Sequence, residues 1–303
     1  MKRRFVRSLL SLAILACSVA QARAPAPVQS PAQSPAPAAL ASEQLAVGAK
    51  PYQVQAEISG SGRYTVIFES GFGTDLRAWR KVLPEVAKNA RAVAYSRAGH
   101  GLSEARPEPR TIAQNTSELE ELITGARLAP PFVLVGHSYG ALLMRSFAAR
   151  HPEQVAGMVL VDPSDERFNP ALRALDAERA AADDRTFAGI VPPRFQPELK
   201  LLQPVLDSGQ LGLAGRLPDV PTVVLTSVQG ADKPMFFLET PEAVAIKRRL
   251  HADFLRQFSH GSQVVTDKSG HNIQLEEPEL VIAAVKEVIA AADGAGKGRQ
   301  AQR

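Results

Sequence analysis

The sequence is almost without cysteine: Cys17 is the only one in 303 residues. One thiol cannot form an intramolecular disulfide. Set in an apolar N-terminal run, it builds neither a cysteine metal site nor a cysteine nucleophile. Long hydrophobic runs are lacking as well; the stretch from Leu9 to Ala16 is too short to span a bilayer. An excess of one charge is also missing. The net charge of +4 comes from Lys2, Arg3, Arg4 and Arg7, and without them the chain is neutral. That excludes the basic footprint of a nucleic-acid binder. No metal-ligating constellation stands out, and Gly71-Phe72-Gly73 is too short for a dinucleotide fingerprint. Neither a metal nor a cofactor is expected.

What the chain does have begins with a leader-like segment. A basic n-region, the apolar run ending at Ala16 and the small-residue site Ala20-Gln21-Ala22 read as a signal peptide over residues 1–22. The expected location is therefore periplasmic or secreted. Ile14-Leu15-Ala16 before Cys17 is similar to a bacterial lipobox, with Leu15 off the usual small-residue pattern. If that cut is used, Cys17 carries lipid and tethers the protein to a membrane, the second expectation after simple cleavage. Residues 23–51 read as a linker, because their Pro/Ala-rich composition cannot build a core. Residues 293–303 read as a flexible tail.

Between them, residues 52–292 alternate short β-rich runs with helical patterns. Strands are expected at 53–59, 64–69, 92–95, 132–135, 158–161, 222–226 and 263–266, and helices at 76–88, 112–126, 141–150 and 278–292. The middle strands are apolar throughout, as parallel strands covered on both faces are. The fold class is α/β, a mostly parallel doubly wound sheet. Residues 163–217 break the rhythm with helical patterns at 169–182 and 196–206, and read as a helical lid inserted between two late strands.

The motif carrying chemistry is Gly136-His137-Ser138-Tyr139-Gly140, directly after the strand at 132–135 and directly before the helix at 141–150. A G-x-S-x-G in that context is a nucleophile elbow, a turn tight enough to exclude a Cβ at either glycine. It holds the Ser138 hydroxyl in front of the sheet. It also leaves the Tyr139 N–H free at a helix N-terminus, where it can bind a developing oxyanion. Serine needs a histidine base oriented by an acid. Of six histidines, His137 lies within the elbow and His151 ends a helix. His251 and His260 fall in a charged segment and read as solvated, and His100 reads as decoration of a Gly-rich loop. His271 follows the last strand, in a loop that reaches the carboxyl edge of the sheet, and is the expected base.

Four segments occur in a familiar order: Glu69-Ser70-Gly71-Phe72-Gly73, Tyr95-Ser96-Arg97-Ala98-Gly99-His100-Gly101-Leu102-Ser103, the elbow, and Ser269-Gly270-His271. Together they make residues 52–292 resemble an α/β-hydrolase. The resemblance implies a second oxyanion donor, the backbone N–H of Phe72, with Ser70 standing where a histidine is usual. It also implies an acid after one of two late strands. Asp162 stands at the end of the strand at 158–161, and Asp232 stands in a longer loop after the strand at 222–226. The rigid strand end favours Asp162 and leaves Asp232 as the alternative. The implied activity is hydrolysis of a small-molecule carboxylic ester through an acyl-enzyme, without cofactor. Serine in place of aspartate argues against the dehalogenase and epoxide hydrolase members. Lactone or amide hydrolysis by the same residues, or a non-catalytic binding protein on this fold, are the alternatives. Tyr139, Phe187, Phe195, Met235, Phe236 and Phe237 are candidates for an apolar substrate pocket.

Overall fold

The apolar runs become the centre of a sheet. The computed structural model describes residues 42–231 and 233–301, with the backbone alone for 295–301. The leader at 1–22, Cys17, most of the linker and Asp232 lie outside the described residues. Eight strands form one sheet: β1 (Glu43–Val47), β2 (Tyr52–Ser59), β3 (Thr65–Glu69), β4 (Arg91–Tyr95), β5 (Phe132–His137), β6 (Val155–Val161), β7 (Thr222–Ser227) and β8 (Gly261–Thr266). Their order is β1-β2-β4-β3-β5-β6-β7-β8. β1, β2 and β4 pair antiparallel, and every later pair is parallel.

The helices between them are α1 (Leu83–Val86), α2 (Ile112–Gly125), α3 (Tyr139–Arg150), α4 (Phe168–Leu175), α5 (Ala177–Ile190), α6 (Gln196–Ser208), α7 (Pro241–Leu255), α8 (Ile273–Glu276) and α9 (Pro278–Ala301). Side chains alternate across the strands, so the sheet is covered on both faces. Ile67, Leu134, Met158, Leu160 and Val224 pack with Leu119, Met144 and Phe254 on one side. Val66, Phe68, Val133, Val135, Val159 and Val223 pack with Trp79, Val281 and Val285 on the other.

Three boundaries differ from the sequence reading. β1 lies inside the stretch expected to be linker: Val47 faces Tyr52 across the pair and is buried. Its five residues begin with Glu43 and Gln44, too short and polar an edge to stand out after the proline-rich run. α9 continues through the expected tail. Its chain is pinned at Asp293, which accepts hydrogen bonds from Arg63 Nη1 at 2.7 Å and Tyr64 Oη at 2.8 Å. The helix expected at 76–88 is a 3-10 turn (Leu76–Trp79) followed by the single-turn α1, with Pro84 near its start. Helices α4, α5 and α6 fill the insertion between β6 and β7.

Strand register sets up the site. Glu69 is level with Gly136, His137 with Val161, Val161 with Leu225, and Ser227 with Thr266. The residues after β3, β5, β6 and β8 therefore leave the sheet at one carboxyl edge, where ligands of open α/β sheets bind.

Candidate active site

Ser138 sits between β5 and α3 with φ 52° and ψ −121°. A non-glycine residue holds such a conformation only where its surroundings over-determine it. Here the elbow is clamped on three sides. Ser138 N–H donates to Val161 O at 3.1 Å, and Ser138 O accepts from Ala141 N at 3.0 Å and Ser164 N at 3.1 Å. A Cβ at Gly136 would stand 2.7 Å from Ala141 Cα, and one at Gly140 2.5 Å from Glu69 O. The glycines are required by this approach of the elbow to its own helix and to the end of β3.

Asp162 ends β6, also at positive φ (36°). Its N–H donates to Leu225 O at 2.8 Å. Its Oδ1 accepts from Ser227 N at 3.0 Å. Its Oδ2 accepts from both His271 Nδ1 at 2.7 Å and Lys247 Nζ at 3.0 Å. Burial alone would raise the Asp162 pKa. The His271 hydrogen bond and the Lys247 charge outweigh it and hold the carboxyl well below the usual carboxylate range. The pair fixes the imidazole with Nδ1 protonated, so Nε2 is left to act as a base. The His271 side chain is 53% exposed, open to the space above the elbow. Ser138 Oγ pairs with Ser164 Oγ at 3.5 Å and not with His271 among the hydrogen bonds of the described residues. Such contacts often tighten only when substrate is bound.

Phe72 follows β3, and its ring meets Tyr139 edge-on at 6.2 Å. The loop after β3 thus lies against the first residue of α3. Tyr139 opens that helix, where an N–H has no carbonyl partner a turn earlier. Ser70 Oγ, in place of the expected histidine, donates to Asp75 O at 2.9 Å and ties the loop back on itself. The insertion closes over this corner through Phe187 at 6.2 Å and Phe195 at 6.1 Å from the Phe72 ring.

Residues 66–284 match the model of the Alpha/beta hydrolase family. The chain belongs to that family. Uncharacterized protein YqjL of Bacillus subtilis is 29% identical over 238 residues, 77% of this chain and 86% of that protein. A haloalkane dehalogenase of Sphingobium indicum is 24% identical over 288 residues, 80% of this chain and 97% of that one. The solved structure of a thermophilic esterase from Thermogutta terrifontis superposes with a TM-score of 0.54 at 20% identity, covering 83% of this chain and 99% of that chain.

This alpha/beta hydrolase uses its histidines differently from the sequence reading. His251 is buried, not solvated: α7 packs against the sheet, and the ring bridges Thr226 Oγ1 at 2.9 Å and Pro163 O at 3.0 Å. His100 is buried too, stacked on Phe195 at 4.7 Å, with Nε2 3.6 Å from Glu198 of α6. Hydrophobic patterning could not show either, because both are polar positions enclosed by elements distant in sequence. His137 Nε2 donates to His271 O at 2.9 Å, holding the His271 loop against the elbow.

Burial, with the His271 ring close by, pushes the His137 pKa down to about 3. Burial and Arg97 do the same to His100, also to about 3, and burial lowers His251. These rings stay neutral in the folded state, whereas the unfolded chain takes up protons below about pH 6.5. Their contribution to stability is complete above that pH. It is lost as pH falls below that, toward 3 for His137 and His100, at up to about 1.4 kcal/mol per unit for each ring. Glu69, whose pKa is raised by burial, works the other way and offsets part of this. The urea midpoint is expected to be clearly lower at pH 5 than at pH 7. An equal or higher midpoint at pH 5 contradicts neutral burial of the three rings.

Of the expected pocket residues, Tyr139, Phe187 and Phe195 surround Phe72. Phe237 instead packs with Leu172, Ala180 and Ala243, and Met235 is exposed. Lys247, Ser164, Arg97, Asn115 and Glu198 were not singled out from the sequence. Of these, only Arg97 lay within a motif. Among the described residues no group of side chains could hold a metal ion, and no helix is long and apolar enough to cross a membrane.

Proposed function

We propose that this hydrolase cleaves carboxylic esters through an acyl-enzyme on Ser138. The reading is carried by one observation: a strained serine elbow shares a sheet edge with a histidine whose Nδ1 is held by a buried, ionised aspartate. In this mechanism Ser138 Oγ leaves Ser164, gives its proton to His271 Nε2 and attacks the acyl carbon. Asp162 stabilises the imidazolium through Nδ1–H. The N–H groups of Phe72 and Tyr139 receive the oxyanion. The tetrahedral intermediate collapses, and His271 returns the proton to the leaving alcohol. Water, deprotonated by His271, then attacks the acyl-serine; collapse releases the acid as His271 hands that proton to the departing Ser138 Oγ. The aromatic corner of Phe72, Phe187 and Phe195 suits an apolar substituent.

The test is a fluorophosphonate probe followed by peptide mapping, together with a panel of p-nitrophenyl esters, lactones and anilides. The expected result is a single labelled peptide containing Ser138 and turnover of the esters. Turnover confined to lactones or anilides replaces the ester reading. No labelling and no turnover leave a binding protein on this fold. Export to the periplasm or beyond is supported by the basic and apolar order of residues 1–22, with a lipid tether at Cys17 as its variant.

A further inference from the structure

Arg97, in the loop after β4, is 3% exposed and takes no direct part in the chemistry above. Its guanidinium lies behind the oxyanion loop. Nη1 donates to Ser70 O at 2.6 Å and to Glu69 Oε1 at 2.6 Å, and Nη2 donates to Gly71 O at 2.8 Å. The same group sits over the Tyr139 ring, 5.2 Å from its centroid. Glu69 is fully buried beside it and also accepts from Tyr95 Oη. Although burial disfavours its charge, the carboxylates of Glu69 and Glu198 hold the guanidinium protonated.

A trans peptide points its C=O and its N–H in opposite directions. Gly71 O and Phe72 N–H belong to one peptide, so the groups that fix the first aim the second; beside Arg97 these are the neutral donors Thr74 Oγ1 at 3.0 Å and Thr74 N–H at 3.3 Å. We propose that Arg97 is a positioning residue of the oxyanion hole, and the charged one. By binding Gly71 O from behind, it turns the Phe72 N–H toward the space in front of Ser138, and its charge polarises that peptide into a stronger donor. The planar fork matters, because it spans the carbonyls of Ser70 and Gly71 at once, which a lysine ammonium on a flexible stem does not do with the same fixed geometry. Through the Tyr139 ring the same guanidinium also braces the residue carrying the second donor. One buried cation thereby supports both walls of the hole.

The inference rests on the ester-hydrolase reading for its kinetic readout, and a second readout is independent of activity. Arg97→Lys and the neutral pair Arg97→Gln/Glu69→Gln are to be compared with wild type in p-nitrophenyl butyrate hydrolysis. A lost oxyanion donor costs about 10²–10³-fold in kcat. A misaimed one is expected to cost roughly 30-fold or more in kcat in both variants, with KM within about twofold. The activity-free readout is the Phe72 amide nitrogen resonance in labelled protein. It is expected to move upfield in Arg97→Lys, as the Gly71 carbonyl loses a forked charged donor, while amides of α2 and α9 stay in place. Unchanged kcat, or a raised KM with unchanged kcat, overturns the proposal. So does an unmoved Phe72 resonance. If the double variant does not fold, Arg97→Lys decides. If neither folds, a crystal structure of the wild-type protein decides, since a Gly71 carbonyl turned away from Arg97 also overturns it. Absence of hydrolysis in the wild type would count against the ester reading alone, leaving the resonance to judge Arg97.

Discussion

Ser138→Ala is expected to reduce ester turnover by about 10⁶-fold, the scale on which a triad serine is lost. It is also expected to abolish fluorophosphonate labelling. The elbow itself should persist. Its backbone bonds to Val161, Ala141 and Ser164 do not involve the hydroxyl, whose only partner among the described residues is Ser164 Oγ at 3.5 Å. Melting temperature should therefore stay within a few degrees of wild type, separating chemical loss from misfolding. Labelling at another serine with full activity in the variant would remove Ser138 from the mechanism.

Asp162→Asn is the second large effect, an expected fall in kcat of about 10⁴-fold. Asparagine keeps the shape, and its carbonyl can still accept from Ser227 N. Its amide, however, turned toward His271, donates where the carboxylate accepted. That favours the imidazole tautomer with the proton on Nε2, which cannot take a proton from serine. The variant also leaves Lys247 without its counterion. The lysine side chain is 21% exposed and can turn toward water, so the fold should survive. Asp232→Asn is the control and should change turnover less than twofold. Should Asp232→Asn be the crippled variant and Asp162→Asn stay active, the acid is Asp232 and the strand-end reasoning fails.

Much of this site could be read from the chain because its parts lie at strand ends. The run Phe132-Val133-Leu134-Val135 announces a buried strand, and the two glycines around Ser138 announce a turn too tight for a Cβ. The pairing of Asp162 with His271 spans 109 residues. It was approachable only because both residues follow strands of one parallel sheet, whose carboxyl ends coincide. Lys247 and His251 were out of reach for the opposite reason. They sit on α7, where no periodic signal says which polar positions turn inward, and only packing against β7 and β8 puts them beside Asp162. The Glu198 carboxylate is similar. It is buried from the insertion through Asn115 Nδ2 at 3.0 Å, which also donates to Tyr139 Oη at 2.7 Å. That is a meeting of three elements with no shared motif.

The position of Asp162 at the end of β6 divides the sheet edge into two regions of unequal freedom. With His271 anchored to β6, the loop from Val228 to Thr240 holds none of the residues assigned here to bond making. Val228 N–H donates to Thr266 O at 2.8 Å and Gln229 Nε2 to Asp267 O at 3.5 Å, but beyond Gln229 the hydrogen bonds among the described residues are local or to the insertion, as where Asp183 accepts from the N–H groups of Phe237 and Leu238. Ser227, which donates to both Asp162 and Ser269 O, marks where that freedom ends. Descendants of this chain can therefore rewrite the loop and the helices it touches, and with them the range of molecules admitted, while the bond-breaking apparatus is inherited intact.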